Sequence, residues 1–439
     1  MTVDAATAAA EKAAYRKASW RLLPLIALGY GIAYIDRTNI SFASLQMNRD
    51  LSFSATIYGF GAGIFFLGYA ACELPSNLLL YRFGARRWLA RIMVSWGLVA
   101  TAMMFVRTPL QFYIARFALG VAEAGFFPGV IYYVSKWFPP ELRARSISRF
   151  YVAWPLSVVV MGALSGTLMG LDGRQGLAGW QWLFLVQGIP AVAFGVIFFL
   201  ALPDDPATAR WLTEPERDAI LARIRGRSGQ NHAESIGPAL RDKRVWLLGI
   251  FNFCMLGSSY AYSFSAPTIV QTLSGFSITG TGFVIAAMYM GGAAAMFGNG
   301  ILGDRARDTY RYVIPGCLMM SGGFLAVALT SNSIVAITGL SVLIIGHMSM
   351  QGPFWSIATR FLHGRAAAAG IAIVNTIGIL GGFVGPYWMG IAKDLTGDYR
   401  RGLLTMAVPM LVGAGIMVYL RFRSHHAALE PLEPAAMKA

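Results

Sequence analysis

Charge is scarce in this chain. Of 439 residues, 13% are Asp, Glu, Lys or Arg, against about a quarter in soluble domains. There are three cysteines, Cys72, Cys254 and Cys317. Their spacing fits neither a disulfide framework nor a metal centre. No phosphate-cradling glycine loop, nucleophile triad or His/Cys cluster is present, so neither an enzyme nor a cofactor or metal site is expected. The start, MTVDAATAAAEKAAYRK, lacks the apolar run of a cleavable signal.

Apolar sequence is plentiful, at 56% of residues. Runs such as Trp88–Val106 and Trp180–Leu202 are long enough to cross a ~30 Å hydrocarbon layer as helices. The pattern predicts an all-α membrane protein of twelve spans, near 20–45, 54–80, 88–106, 109–135, 145–170, 179–202, 245–272, 279–303, 311–330, 333–361, 366–392 and 402–421. The expected organisation is a tail (1–19), six spans (20–202), a polar linker (203–244), six more spans (245–421) and a second tail (422–439). In the linker, Thr213 followed by Glu216 signals a helix start, and Ile220, Leu221 and Ile224 continue at helical spacing.

The net charge of +15 raises the question of nucleic acid. The Lys and Arg residues instead fall in short loops, 28 on the side of the termini and six on the other, with Arg37 and Arg116 inside spans. That asymmetry is an orientation signal and places both termini in the cytoplasm. No nucleic-acid partner is expected. The lipid bilayer is, and the chain is taken as a monomer of a bacterial cytoplasmic membrane.

The two sets of six spans repeat. Arg82 in NLLLYRFGARR aligns with Arg305 in GILGDRARDTYR at an offset of 223, and Arg143 aligns with Arg365 at 222. Duplicated halves of this kind belong to transporters, with the substrate site between the halves near the midplane.

Ionisable residues inside spans are functional by default. Asp36 and Arg37 fall in span 1, Arg116 and Glu123 in span 4, all near mid-depth at ~1.5 Å per residue. Arg116 and Glu123 are seven apart and share a helix face. The expectation is one buried cluster, neutral when empty. A carboxylate that takes an arginine as partner strips an acid of its counter-ion and favours its protonated form. Arg37 and Arg116 are therefore candidate substrate contacts, with Glu123 and Asp36 as proton carriers. Asp36 alternatively only holds Arg37 in place.

The loop after span 2, with the basic motif of YRFGARR, resembles that of the major facilitator superfamily. Asn77 and Tyr81 depart from its Gly and Asp; Gly300, Asp304 and Arg305 fit it. YIDRTNISFA, ELPSNLLLYRFGARRW, RFALGVAEAGFFPG and NTIGILGGFVGP together resemble its anion:cation symporter family. The resemblance covers nearly the whole chain. It implies proton-coupled uptake of a small organic anion such as a sugar acid, tartrate or an aromatic acid. Animal members carry sialic acid or glutamate. The proline-rich fifth-span motif of drug antiporters is absent from VVVMGALSGTLMG. By the same resemblance Asp36 and Arg37, and Arg116 and Glu123, match functional pairs of spans 1 and 4. Tyr34, Tyr69, Asn252, Trp355 and Asn375 match substrate-lining positions, and Ile379 replaces a second Asn.

The repeat offset carries Asp36, Arg37, Arg116 and Glu123 onto Ser259, Tyr260, Gly339 and Gly346. The second half thus lacks the charges of the first and is expected to supply polar and aromatic recognition. Tyr260 in span 7 is a candidate. So is the stripe His347, Gln351 and Trp355 at i, i+4 and i+8. His347 is taken as a packing histidine in preference to a proton carrier. Glu73 is read as a gate or packing pair at the inner end of span 2. Arg82, Arg86, Asp304 and Arg305 are the conformational loop motif. An exchanger or uniporter on the same fold, and a non-transporting sensor, are the alternative readings.

Overall fold

The computed structural model describes residues 3–228, 240–305, 308–358 and 364–429. The described residues form helices and no strand. Twelve segments are long and apolar enough to cross a membrane, as the hydropathy pattern predicts. In chain order the helices are α1 (Val3–Asp50), α2 (Ala55–Phe83), α3 (Ala85–Ala102), α4 (Pro109–Glu123), α5 (Phe126–Trp137), α6 (Pro140–Tyr151), α7 (Ala153–Met169) and α8 (Gly179–Ala201). They continue with α9 (Glu214–Ser228), α10 (Lys243–Ser274), α11 (Ile278–Arg305), α12 (Tyr310–Leu329), α13 (Ser333–Ala358), α14 (Gly364–Thr396) and α15 (Arg400–Leu429).

Local chemistry sets the boundaries. Ser54 caps α2 by accepting from the Ile57 N–H at 3.2 Å. Gly84, at φ +84°, lets α2 stop and α3 begin within one residue. Thr108 and Gln111 form a reciprocal capping box with Pro109 in the first turn of α4, where a missing N–H leaves no donor unsatisfied.

Two predicted spans are not single helices. Span 4 breaks at Ala124–Gly125, where Gly125 is left-handed at φ +85°. Ser76 of α2 donates to the Ala124 carbonyl at 2.6 Å, satisfying a group released by the break. Span 5 is divided at Val152 into α6 and α7.

At the bundle end remote from Val3 and Leu429 the two sets of spans approach backbone to backbone. There α2 packs on α14 and α7 on α11, joining the first six spans to the last six. A Cβ on Gly282 would collide with the Gly162 carbonyl, and one on Gly59 with that of Pro386. Asp394 of α14 caps α2 from outside its own chain segment, accepting from the Ala55 and Thr56 N–H groups at 3.0 and 2.7 Å. At the opposite end, added Cβ atoms on Gly298 and Gly352 would meet nothing.

The connecting segment rides on the first six spans. The helix expected after Thr213 is α9, and Glu216 reaches back to the Thr213 N–H at 3.0 Å. Glu216 also bonds Lys17 of α1 at 2.9 Å. That ammonium, with the Thr213 N–H, holds the Glu216 carboxyl below the usual carboxylate range. Ile220 is buried, and Trp211 stacks on Trp137 of α5, ring centroids 5.5 Å apart.

Candidate functional site

Arg37 stands where the two sets of spans meet. One guanidinium nitrogen pairs with Glu123 of α4. Another lies 3.5 Å from the Tyr260 hydroxyl of α10. Residues 37 and 260 are 223 apart, the offset of the sequence repeat, so Arg37 touches its own repeat mate. The charged group also lies over the rings of Tyr34, Phe65 and Tyr69, at 5.0, 5.4 and 5.6 Å from their centroids. Such rings favour a cation electrostatically. The Arg37 side chain keeps 14% of its surface exposed and Glu123 3%. Glu123 is the last residue of α4, directly before the Gly125 break.

The expected four-charge cluster is split in three. Asp36 does not pair with Arg37. Its carboxylate accepts from the Trp96 indole of α3 at 2.7 Å, and its other oxygen has no hydrogen-bond partner. Neighbouring residues on a helix point about 100° apart, which sends Asp36 into the first six spans and Arg37 toward the interface. Arg116 pairs with neither acid. It is fully buried and donates to the Gly61 and Ala62 carbonyls of α2, at 3.3 and 3.1 Å. Its guanidinium lies 5.0 Å from the Phe65 ring, which the Arg37 guanidinium also approaches. Seven-residue spacing does put Arg116 and Glu123 on one face, yet each finds its partner on a different helix.

The other candidates fall into place around this centre. Tyr34 and Tyr69 contact Arg37 as described. Asn375 of α14 donates to Glu73 of α2 at 3.2 Å, a cross-half bond at the end nearer the termini. Asn252 is buried, donates to the Val374 carbonyl at 3.1 Å and packs on Gly378 of α14. Its own carbonyl oxygen has no hydrogen-bond partner. Trp355 packs at a tilt against Phe354, centroids 5.0 Å apart. Gln351 bonds His347 at 2.8 Å. Arg86 stays within the first six spans, its N–H donating to Asp204 at 3.0 Å and its guanidinium lying over Phe199. Arg82 is exposed beside Phe83. The side chains of Asp304 and Arg305 lie outside the described residues.

Three residues escaped the sequence reading: Trp96, Phe65 and Trp154. A signal existed for the first. A buried indole N–H needs an acceptor, and Asp36 is a carboxylate acceptor at mid-depth of a span. Phe65 and Trp154 look like ordinary packing residues, and only the fold sets them beside the polar groups.

A family profile described as Major Facilitator Superfamily matches residues 26–386. The chain belongs to this superfamily. Relatives of this facilitator extend over nearly its whole length. A protein of Agrobacterium vitis named "Putative tartrate transporter" is 43% identical, covering 94% of this chain and 92% of that protein. One of Acinetobacter baumannii named "Quinolone resistance transporter" is 37% identical over 93% of this chain and 95% of its own. Among solved structures, an inward-facing bacterial homologue of the human lysosomal transporter Spinster superposes with a TM-score of 0.76. It covers 93% of this chain and 98% of that one at 16% identity, which establishes the facilitator fold. The chain is thus a multi-pass membrane transporter and not an enzyme.

Proposed function

We propose that this facilitator imports a small organic anion together with protons by alternating access. The observation that carries the reading is Arg37: a cation at the interface of the halves, partly exposed, with Glu123 as its exchangeable counter-ion. An entering carboxylate takes Arg37 and releases Glu123. A buried carboxylate with no counter-ion is disfavoured, so Glu123 takes up a proton. Anion and proton each promote the other's binding, because coupling between sites is reciprocal. Arg116 adds positive field from beside Phe65. Asp36, with one unpartnered oxygen, is a second place for a proton.

The rest of the machinery follows from the halves. Tyr260, Gln351, Trp355 and Asn252 supply recognition from the last six spans. The packed end carrying Gly162 and Gly282 faces outward, and the Glu73–Asn375 bond is an inner gate. Arg82, Arg86, Asp304 and Arg305 form the loop motif that governs rocking of one half on the other. Both termini lie in the cytoplasm, in keeping with the Lys and Arg asymmetry, and a monomer suffices.

The names of the relatives support a carboxylate. Tartrate is a dihydroxy dicarboxylate, and quinolone antibiotics also carry a carboxyl group. The quinolone-named relative favours a second reading, an exchanger or uniporter for organic anions. Proteoliposomes under an imposed pH gradient separate the two. Symport predicts accumulation of a carboxylate above its outside concentration, abolished by a protonophore. Equilibration that ignores the gradient would contradict it.

A further inference from the structure

The last six spans bury a polar network that the ion pair does not use. His347 of α13 is 1% exposed, and both ring nitrogens are engaged. Nδ1 lies 2.8 Å from the Tyr262 hydroxyl and 3.3 Å from Ser259 Oγ, both on α10. Nε2 lies 2.8 Å from the Gln351 amide nitrogen, one turn further along α13. Tyr262, Ser259 and Gln351 are buried as well. The network reaches the interface of the halves, where the His347 ring meets Trp154 of α7, centroids 5.8 Å apart. Trp154 in turn packs on Tyr34, which lies under the Arg37 guanidinium.

A neutral imidazole offers one donor and one acceptor. If the Gln351 amide donates to Nε2, the ring proton sits on Nδ1 and goes to Tyr262 or Ser259. If the amide is turned over, Nε2–H donates to its oxygen and Tyr262 donates to Nδ1. In both arrangements the ring fixes the amide plane and occupies one end of it only. Four buried polar side chains in an apolar bundle are expensive unless their bonds are made. A phenylalanine at 347 would fill the space against Trp154 with none of that demand.

We propose that His347 is a positioning residue that holds the Gln351 amide as a hydroxyl-recognising group, so that the site prefers hydroxycarboxylates to the same acids lacking the hydroxyl. This rests on the anion reading above, in which Arg37 takes the carboxylate. The preference arises because an acid without the hydroxyl leaves an oriented buried amide unpaired, which a site of this kind rejects. His347 touches no substrate; it acts through Gln351.

Calorimetry on the purified full chain with matched pairs tests this: tartrate against succinate, and gluconate against hexanoate. Wild type is expected to favour the hydroxylated member of at least one pair. His347→Phe is expected to shrink that ratio about three- to tenfold, the worth of one neutral hydrogen bond, with affinity for the other member retained. Gln351→Met is expected to shrink it equally, and the double variant to add nothing. Tyr262→Phe, which leaves Nδ1 only the longer contact to Ser259, gives a smaller loss in the same ratio and serves if His347→Phe does not fold. Equal weakening of both members, an unmoved ratio, or additive single variants would each overturn the positioning role. Wild type that binds both members equally overturns it while leaving anion transport standing. Wild type that binds none of the four acids overturns both.

Discussion

The first six spans hold four charged side chains near mid-depth, Asp36, Arg37, Arg116 and Glu123, besides buried neutral ones such as Asn39 and Gln187. The last six hold neutral ones there: Ser259, Tyr260, Tyr262, His347 and Gln351. The two sets share one repeat, and the difference lies in what surrounds each position. Asp36 is supported by the Trp96 indole at 2.7 Å; the repeat mate of Trp96 is Met319, which offers no such donor. Arg116 is supported by two carbonyls of α2; its mate is Gly339. A charge is kept only where the neighbouring helices solvate it. In the function proposed here the charged half takes the ion and the proton, and the neutral half reads shape and hydroxyls.

The largest effect should come from removing the one charge that touches both halves. Arg37→Gln is expected to weaken carboxylate binding at least about 30-fold, the range found when one partner of a desolvated charge pair is truncated. Arg116→Gln should act mainly on thermal stability, with affinity changed by at most about fivefold, because its guanidinium is fully buried and spent on the Gly61 and Ala62 carbonyls. Equal losses of binding in the two variants would break the distinction between them. Next in size is Gly282→Val, which puts a side chain into the Gly162 carbonyl. Equilibrium binding should persist while uptake in proteoliposomes falls, since the packed end can no longer close.

A smaller effect is expected at the contact between repeat mates. Tyr260→Phe removes a long, 3.5 Å bond to Arg37 and should weaken binding by about threefold. Smallest of all is Lys17→Met, at no more than about 1 kcal/mol for a partly exposed ion pair. Its sign with pH is fixed by Glu216, whose carboxyl Lys17 holds below the usual range. The contribution is complete above the ordinary glutamate value of ~4.3 and is lost as pH falls through the lower folded value. Thermal melts of both proteins between pH 3 and 7 would show the difference vanish at the acid end.

Much of the fold was legible in the sequence because apolar length acts locally. Twelve spans and the helix after Thr213 needed no tertiary information. The breaks in spans 4 and 5 were missed, although AEAGFFPG contains the glycine that takes the left-handed turn. The site was legible only as an inventory. Residue type and depth single out Asp36, Arg37, Arg116 and Glu123, but pairing depends on which helices lie alongside. Periodicity assigns a face, not a neighbour. It could not tell that Arg116 would turn to carbonyls of α2, that Asp36 would find an indole, or that His347 would be satisfied on both nitrogens.

The central claim is that an anion on Arg37 displaces Glu123 and makes it take a proton. Proton uptake on binding tests it directly, measured with a pH-indicating dye in weakly buffered detergent solution at neutral pH. The account predicts that wild type takes up protons as a carboxylate substrate binds, and that Glu123→Gln binds the same acid with that uptake lost. Glu123→Gln taking up protons like wild type would contradict it.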